Sequence, residues 1–214
     1  MPLYSLQHII NASQALYKTD YSVPSQLPHL LSNPSSSVTV VNFIFPPTAQ
    51  PIHQEGFGYL IPRKDNSSDP YFTDFGSMPL QDRLIGVVFD SCALSAQDTY
   101  PEGDKGNQRF TKLTLMLKGV SSWDVNEEEL MKILTKHLRP VSPLPRPVYM
   151  RVNTHSDCIP IPGVGHVQRM AELQTELKRE FWDERFAVLG AGVGGVSVPD
   201  CVEQGRIIAS RWSS

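Results

Sequence analysis

Four segments of the chain are rich in β-branched and aromatic residues, and only loop-like sequence lies between them. They read VTVVNFIF (38–45), GFGYLIP (56–62), RLIGVVFDS (83–91) and TKLTLMLKG (111–119). Runs of this composition that are bounded by proline, glycine and polar residues predict β-strands. Because strands that follow one another without a crossover helix pair in opposite directions, these segments predict an antiparallel meander.

Helical patterns follow the fourth strand. Asn126 is a suitable N-cap for a helix whose first turn carries three glutamates and whose apolar residues share one face. The pattern then predicts a strand at 148–153, an amphipathic helix at 166–181, a last strand at 185–189 and a final helix at 198–212. Pro199 suits the first turn of that final helix. Residues 1–36 are weakly patterned, with a helical turn at 27–31 as their clearest feature. The predicted fold class is therefore α+β.

Residues 190–195 read GAGVGG, which has the G-x-G-x-x-G spacing of dinucleotide-binding turns. That fingerprint opens a βαβ unit of roughly 30 residues, whereas only one helix fits between Gly195 and Ser214. We therefore expect that the motif does not open a complete nucleotide-binding domain. Two interpretations remain: a plain turn between a strand and a helix, or a backbone that approaches a ligand closely beside the N-terminus of that helix.

Composition excludes several classes of protein. Hydrophobic residues make up 40% and charged residues 19%, which is a globular balance. The net charge of −3 gives no basic face for nucleic acid, so none is predicted as a partner. The three cysteines are odd in number and widely spaced, which argues against a disulfide framework. His155 and Cys158 have a metal-like gap, but no second ligand pair lies nearby in sequence, so we predict no metal site.

The order of the motifs resembles the C-terminal half of the protoporphyrinogen oxidase family, flavin enzymes of haem synthesis. The resemblance covers roughly residues 27 to 210. It is carried by VVNFIF, GFGYLIP, LIGVVFDSCAL, TLMLKG, CIPIPGVGH and GVSVPDCVEQGR, which come in the family's order. The loops 63–82 and 97–109 are longer or more irregular than the family pattern.

The resemblance implies an antiparallel substrate-domain sheet plus the C-terminal part of a split FAD-binding α/β domain. It assigns residues 1–36 to a remnant of a helical or linker region, 37–155 to the substrate-binding sheet with one helix, and 156–214 to the FAD-binding segment. The family's own G-x-G-x-x-G segment and most of its membrane-facing helical part have no counterpart here, which indicates an N-terminally truncated form.

The resemblance also places three residues in the substrate pocket: Phe57, Leu60 and Met116. Apolar, aromatic and sulfur-containing side chains suit a large planar tetrapyrrole ring. Ordinary core packing is the alternative for each of them. Gly56 and Gly58, on either side of Phe57, favour a binding role because glycine inside a strand often marks a close backbone approach.

Four residues fall on family positions that lie against the cofactor FAD: Ala191, Val196, Ser197 and Val198. Unpaired N–H groups and the partial positive charge at the start of helix 198–212 would support such contacts. Asp200 is explained equally well as an acidic residue in the first turn of that helix. The resemblance identifies no catalytic residue in this chain.

The function that the resemblance implies is the oxidation of protoporphyrinogen IX to protoporphyrin IX by FAD and O2. It further implies peripheral contact with the mitochondrial inner membrane and allows a homodimer. Three alternatives stay open: a non-catalytic fragment that lacks the ADP-binding half, another flavin oxidase of the amine oxidase or phytoene desaturase type, and a small module that binds tetrapyrrole without flavin.

Overall fold

The structure is a computed structural model that describes residues 3–16, 27–62, 79–99, 109–119, 125–179 and 186–212. The chain divides into two compact units. One unit comprises Ser37–His155, and we call it the sheet unit. The other combines Met1–Ser36 with Ser156–Ser214, and we call it the terminal unit.

Strands and helices occur in a mixed order. The strands are β1 (Ser35–Phe45), β2 (Gly58–Leu60), β3 (Leu84–Val88), β4 (Thr111–Lys118) and β5 (Tyr149–Pro160). The helices are α1 (Leu3–Leu16), α2 (Leu80–Arg83), α3 (Asp90–Ala93), α4 (Glu127–Leu138), α5 (His166–Leu177) and α6 (Val198–Trp212). A 3-10 turn covers Ser95–Gln97. The predicted α+β class is confirmed.

Three predicted elements need correction. Residues 186–189, the described part of the predicted last strand, are not in a strand, and the helical turn predicted at 27–31 is a turn over 28–31 in which His29 has a positive φ of 67°. The helix predicted at 166–181 ends at Leu177, and Phe181 lies outside the described residues. Helix α1 was not predicted, because its polar and apolar residues give only a weak helical periodicity.

The sheet has five antiparallel strands in the order β2-β3-β4-β1-β5. Strands β2, β3 and β4 form the predicted meander, but β1 pairs with β4 instead of β2. The meander prediction was therefore wrong for β1. The lengths of the strands explain the arrangement: β2 has three residues and suits an edge, whereas β1 has 11 residues and lies inside the sheet.

One face of the sheet packs on helix α4. Alternate residues of β1 and β4 are buried on this face, and α4 contributes three buried residues. These side chains are Val41, Phe43, Phe45, Leu113, Leu115, Leu117, Leu130, Ile133 and Leu134. Fully burying one such side chain contributes about 1.5–3 kcal/mol. The predicted cap is present, since Asn126 Oδ1 accepts the N–H of Glu128 at 2.8 Å.

The terminal unit has a smaller core between α1 and α5. It is formed by Leu3, Ile10, Leu27, Leu30, Met170, Leu173, Leu177 and Val188. Helix α6 contributes no buried residue. The terminal unit therefore carries a helix of 15 residues whose apolar side chains remain at the surface.

Candidate functional site

The sheet face that points away from α4 carries two parallel rows of residues, and we call it the open face. Each row crosses β2, β3, β4 and β1 through paired residues. The first row contains Leu60, Gly86, Met116 and Val40. The second row contains Gly58, Val88, Thr114 and Asn42. Since neighbouring strands lie about 4.8 Å apart, each row spans roughly 14 Å.

The residues between the two rows show why the rows share a face. Tyr59, Val87, Leu115 and Val41 form the intervening row, and all of them belong to the core or pack against it. Successive side chains of a strand point to opposite sides of the sheet. The two rows therefore lie on the side away from the core.

The structure brings two of the three predicted substrate residues into one row. Leu60 and Met116 flank Gly86, and a Cβ on Gly86 would lie 2.9 Å from Cδ2 of Leu60. Gly86 thus lets the Leu60 side chain lie over β3. Phe57 precedes Gly58, and its carbonyl oxygen accepts the N–H of Phe89 at 2.9 Å.

The three predicted side chains differ in exposure. Phe57 is 72% exposed and Leu60 is 73% exposed, whereas Met116 is half-buried. Large exposed apolar side chains mark a binding surface when they lie together, and of these two exposed residues the strand register places only Leu60 in the first row. Ordinary core packing therefore does not explain Phe57 and Leu60.

Close contact within the sheet accounts for Gly58. Its φ is +143°, and a Cβ there would lie 2.2 Å from the carbonyl oxygen of Val87. Gly56 has a φ of +153°, but a Cβ there would meet nothing within 4 Å. The sheet itself requires glycine at 58, so this residue is not evidence for a ligand. The open space at Gly56 leaves a ligand contact there as a prediction.

A chain of hydrogen bonds crosses the second row. Asn42 Nδ2 donates to Thr114 Oγ1 at 2.7 Å, and Thr114 Oγ1 donates to Asp90 Oδ2 at 2.5 Å. The next residue, Ser91, accepts the N–H of Lys112 at 2.6 Å and thereby holds the start of α3 on β4. Sequence reasoning missed this network. The acidic residue at the end of a buried strand, in VVFDS, was the signal that could have found it.

An aromatic cluster supports β2 on the core side. The ring of Tyr59 stacks on His137 at 6.1 Å and meets the edge of Phe89 at 6.0 Å. Burial raises the pKa of Tyr59 to about 12. Burial, followed by the charge of Lys136, lowers the pKa of His137. Both shifts favour the neutral form of the side chain under the edge of the open face.

Packing inside the terminal unit accounts for part of the glycine motif. A Cβ on Gly194 would lie 2.8 Å from Cδ of Gln204, and a Cβ on Gly195 would lie 2.6 Å from Oδ2 of Asp200. Gly190 N–H donates to Gln204 Oε1 at 3.0 Å. The loop thus folds tightly against the first turns of α6, which accounts for Gly195, whereas a Cβ on Gly190 would meet nothing within 4 Å, so both interpretations stay open there.

A reciprocal pair of hydrogen bonds caps α6. Ser197 N–H donates to Asp200 Oδ2 at 3.1 Å, and Asp200 N–H donates to Ser197 Oγ at 3.2 Å. The hydroxyl of Ser197, followed by its backbone N–H, holds the pKa of Asp200 below its ordinary value. Cys201 N–H bonds to the carbonyl oxygen of Ser197, and Pro199 has no N–H. Within the described first turn, only the N–H of Val198 is left for a ligand, fewer than the sequence argument expected.

The predicted cofactor residues lie in this loop and at the start of α6. Val196 is 54% exposed and Val198 is 77% exposed, Ser197 is also exposed, and Ala191 is half-buried. The loop therefore presents three small exposed side chains in succession beside the positive end of a helix. This surface fits a cofactor contact, and their role as FAD ligands stays a prediction.

Within the described ranges, no helix combines the length and the hydropathy needed to cross a membrane. The same residues include no group of three or more His, Cys, Asp or Glu side chains able to hold a metal ion. Cys92, Cys158 and Cys201 are free thiols. Cys158 lies 3.7 Å from the carbonyl oxygen of Ser36, a contact that serves the fold.

The fold and the open face define an α+β protein with an apolar platform on an antiparallel sheet. No protein-family model matches the sequence. Proteins named protoporphyrinogen oxidase are similar to it: the Homo sapiens protein is 30% identical over 183 residues, which is 79% of this chain, and the Bos taurus protein is 30% identical over 95% of this chain. A coproporphyrinogen III oxidase of Bacillus subtilis is 24% identical over 92% of the chain.

A solved structure shows the same fold. A crystal structure from Exiguobacterium sp. 255-15, assigned as a protoporphyrinogen oxidase, covers 98% of this chain with a TM-score of 0.61 and 16% identity. The resemblance indicated by the motifs is therefore confirmed, and the chain is related to the protoporphyrinogen oxidases over most of its length. The chain spans only 32% and 40% of the human and bovine proteins and 39% of the Exiguobacterium chain.

Proposed function

We propose that this chain carries the tetrapyrrole-binding sheet of a protoporphyrinogen oxidase. The complete enzyme would oxidise protoporphyrinogen IX to protoporphyrin IX with FAD and O2. The observation that carries the proposal is the apolar first row, in which Leu60 and Met116 flank Gly86 and Leu60 is 73% exposed. The names of the curated relatives support the same substrate.

The open face contributes binding and orientation. A tetrapyrrole is a wide, largely apolar ring, and a row of roughly 14 Å over four strands gives it a surface of matching character. The Leu60 side chain lies over Gly86, which is buried, so the ring would rest on Leu60 and Met116 rather than on the backbone of β3. The sheet would hold a saturated ring carbon in place and exclude water from it, while bound FAD supplies the hydride acceptor.

The terminal unit would contribute part of the cofactor site. Val196, Ser197 and Val198 are exposed in succession, and Ala191 lies in the turn before them. The free N–H of Val198 and the positive end of α6 favour an electron-rich or anionic group. These residues would contact FAD without enclosing it, so most of the cofactor site is expected to come from polypeptide outside this chain.

The remaining assignments follow the same family and stay proposals. They are peripheral contact with the mitochondrial inner membrane and assembly as a homodimer. A non-catalytic fragment is the principal alternative for this chain alone, because it spans about a third of its relatives. Coproporphyrinogen is the alternative substrate, because a relative of that name is similar along most of the chain. It carries propionates where protoporphyrinogen has vinyl groups, so the less apolar ring would fit the first row less well.

A binding titration tests the proposal. Protoporphyrin IX and coproporphyrin III, the stable oxidised products, are each titrated into the full chain, and quenching of tryptophan fluorescence gives the two Kd values. We expect tighter binding of protoporphyrin, and we expect Leu60→Asp to weaken it at least tenfold, since a charge would enter an apolar contact. Val141→Asp is the matched control, because Val141 is 85% exposed and belongs to neither row. Absence of binding by the unaltered chain, or equal loss in both variants, would contradict the proposal.

A further inference from the structure

The second row of the open face is polar at only one end. Gly58 and Val88 continue the apolar surface, whereas Thr114 and Asn42 bring a hydroxyl and an amide to it. Both polar side chains are half-buried. A large apolar ligand on the first row would cover this end as well, because the two rows are only two residues apart along each strand.

The hydrogen-bond chain fixes which atom Asn42 presents. Asp90 accepts from Thr114, and an ionised carboxylate can only accept. The hydroxyl proton of Thr114 is therefore used, so its oxygen must accept from Asn42, which it does at 2.7 Å. Asn42 consequently turns its Nδ2 towards Thr114 and leaves its Oδ1 as the exposed acceptor. Within the described residues, the structure shows no donor to Oδ1.

The surroundings of Asn42 make this acceptor selective. Val40 precedes it by two residues on the same face, and Met116 lies opposite Val40. A ligand that covers these side chains removes water from Oδ1 of Asn42. An acceptor that is covered without gaining a donor lowers the affinity for the ligand, because its hydrogen bond to water is lost. An acceptor that gains a donor from the ligand raises the affinity. The site therefore selects ligands that bring an N–H or O–H group to this position.

We propose that Oδ1 of Asn42 accepts hydrogen bonds from pyrrole N–H groups of the reduced tetrapyrrole, and that Thr114 and Asp90 position it. This inference rests on the proposed function. A porphyrinogen has four pyrrole N–H groups, and its saturated bridging carbons let the rings tilt and direct these groups to one face. The oxidised porphyrin is flat and keeps only two N–H groups, which point into the ring. Asn42 thus favours the substrate over the product and assists product release.

The experiment compares two probes on the full chain under anaerobic conditions. Protoporphyrinogen IX presents the N–H donors, whereas zinc protoporphyrin IX has none. Calorimetric titration gives a Kd for each probe with the unaltered chain, Asn42→Leu, Thr114→Val and the control Gln97→Leu. Gln97→Leu removes an amide from an exposed turn outside both rows. Circular dichroism verifies that each variant is folded.

We expect Asn42→Leu to weaken protoporphyrinogen binding about tenfold and to change zinc protoporphyrin binding less than twofold, as the loss of one hydrogen bond requires. Thr114→Val keeps the Asn42 acceptor but removes the hydrogen bond that orients it. The preference for protoporphyrinogen over zinc protoporphyrin, measured as the ratio of the two Kd values, should therefore fall by about threefold. If Asn42→Leu does not fold, Thr114→Val decides by the same criterion. An equal loss for both probes, or no loss for protoporphyrinogen, would overturn the inference and leave the proposed function intact. Failure of the unaltered chain to bind either probe would overturn both.

Discussion

The sheet unit and the terminal unit both expose large apolar side chains, but the packing beneath those side chains differs. In the sheet unit, Phe57 and Leu60 are exposed at the edge of a hydrogen-bonded sheet whose other face is closed over a core. In the terminal unit, α6 exposes Val198, Val202 and Trp212 and buries no residue of its own. The first surface is held in shape before any ligand binds. The second surface contributes no buried residue, and its first turns are held by the Ser197–Asp200 cap and by the hydrogen bond of Gly190 to Gln204.

The largest expected difference concerns core packing. Phe43→Ala removes a side chain that is 1% exposed and should lower the free energy of unfolding by about 3–5 kcal/mol. Val202→Ala on α6 should change it by less than about 0.5 kcal/mol, as is usual for surface positions. Urea unfolding followed by circular dichroism measures both. Similar losses in the two variants would show that α6 is packed as firmly as the sheet.

Glycine substitutions sharpen the same comparison. Gly58→Ala should lower the free energy of unfolding by roughly 2–4 kcal/mol, because its Cβ would meet the carbonyl oxygen of Val87 and its φ is positive. Gly56→Ala separates the two causes, since its φ is similar but its Cβ would meet nothing within 4 Å, and should cost about 1 kcal/mol. Gly205→Ala in α6 should stabilise by about 0.5–1 kcal/mol. An unchanged stability in Gly58→Ala would refute the close packing of β2 on β3.

The pH dependence of stability should differ between the units. The pKa of His137 is lowered in the folded state, so the unfolded chain binds the proton more readily. The stabilisation is present above the ordinary histidine pKa of about 6.5 and is lost as the pH falls through the lower folded value. The urea midpoint of the sheet unit should decrease from pH 7 to pH 5, and His137→Gln should remove much of that decrease. If the urea midpoint of His137→Gln fell more steeply with pH than that of the unaltered chain, the folded state would raise the pKa of His137 instead of lowering it.

The smallest effect is expected at the cap of α6. The pKa of Asp200 is lowered in the folded state, so its contribution is present above the ordinary aspartate pKa of about 3.9 and is lost as the pH falls below it. Amide hydrogen exchange in the first turn of α6 should therefore accelerate in acid, relative to the rate of an unstructured peptide. Asp200→Asn should make this exchange faster at neutral pH and remove its acid dependence. If the variant exchanges like the unaltered chain, the reciprocal cap does not order the helix.

The sequence predicted the individual strands and helices better than it predicted which strands pair with each other. The β-runs, the Asn126 cap and the apolar face of α4 are short-range patterns, and the structure contains them. The position of β1 between β4 and β5 depends on pairing over long separations, which alternation alone does not specify. The stretch 185–189 has a strand-like composition, but its described residues 186–189 lie in no strand of the sheet.

For the candidate site, too, the sequence identified individual residues but not which of them meet. The motifs identified Leu60 and Met116, but only the strand register shows that both flank Gly86. Asn42 and Thr114 lie 72 positions apart in the sequence and meet through the pairing of β1 with β4. No local pattern contains that information. The glycine motif shows the reverse case, because packing against α6 accounts for Gly195 of a familiar spacing.

The exposed Phe57 and Leu60 also govern how the chain behaves while nothing covers them. Two uncovered apolar side chains beside a short edge strand favour self-association of newly made chains. A ligand that covers them binds only the folded form, and at a hundred times its Kd it would raise the free energy of unfolding by about 2.7 kcal/mol. The yield of soluble chain would then increase with the concentration of the ligand. A compound that binds the sheet would therefore also determine how much of the protein stays folded.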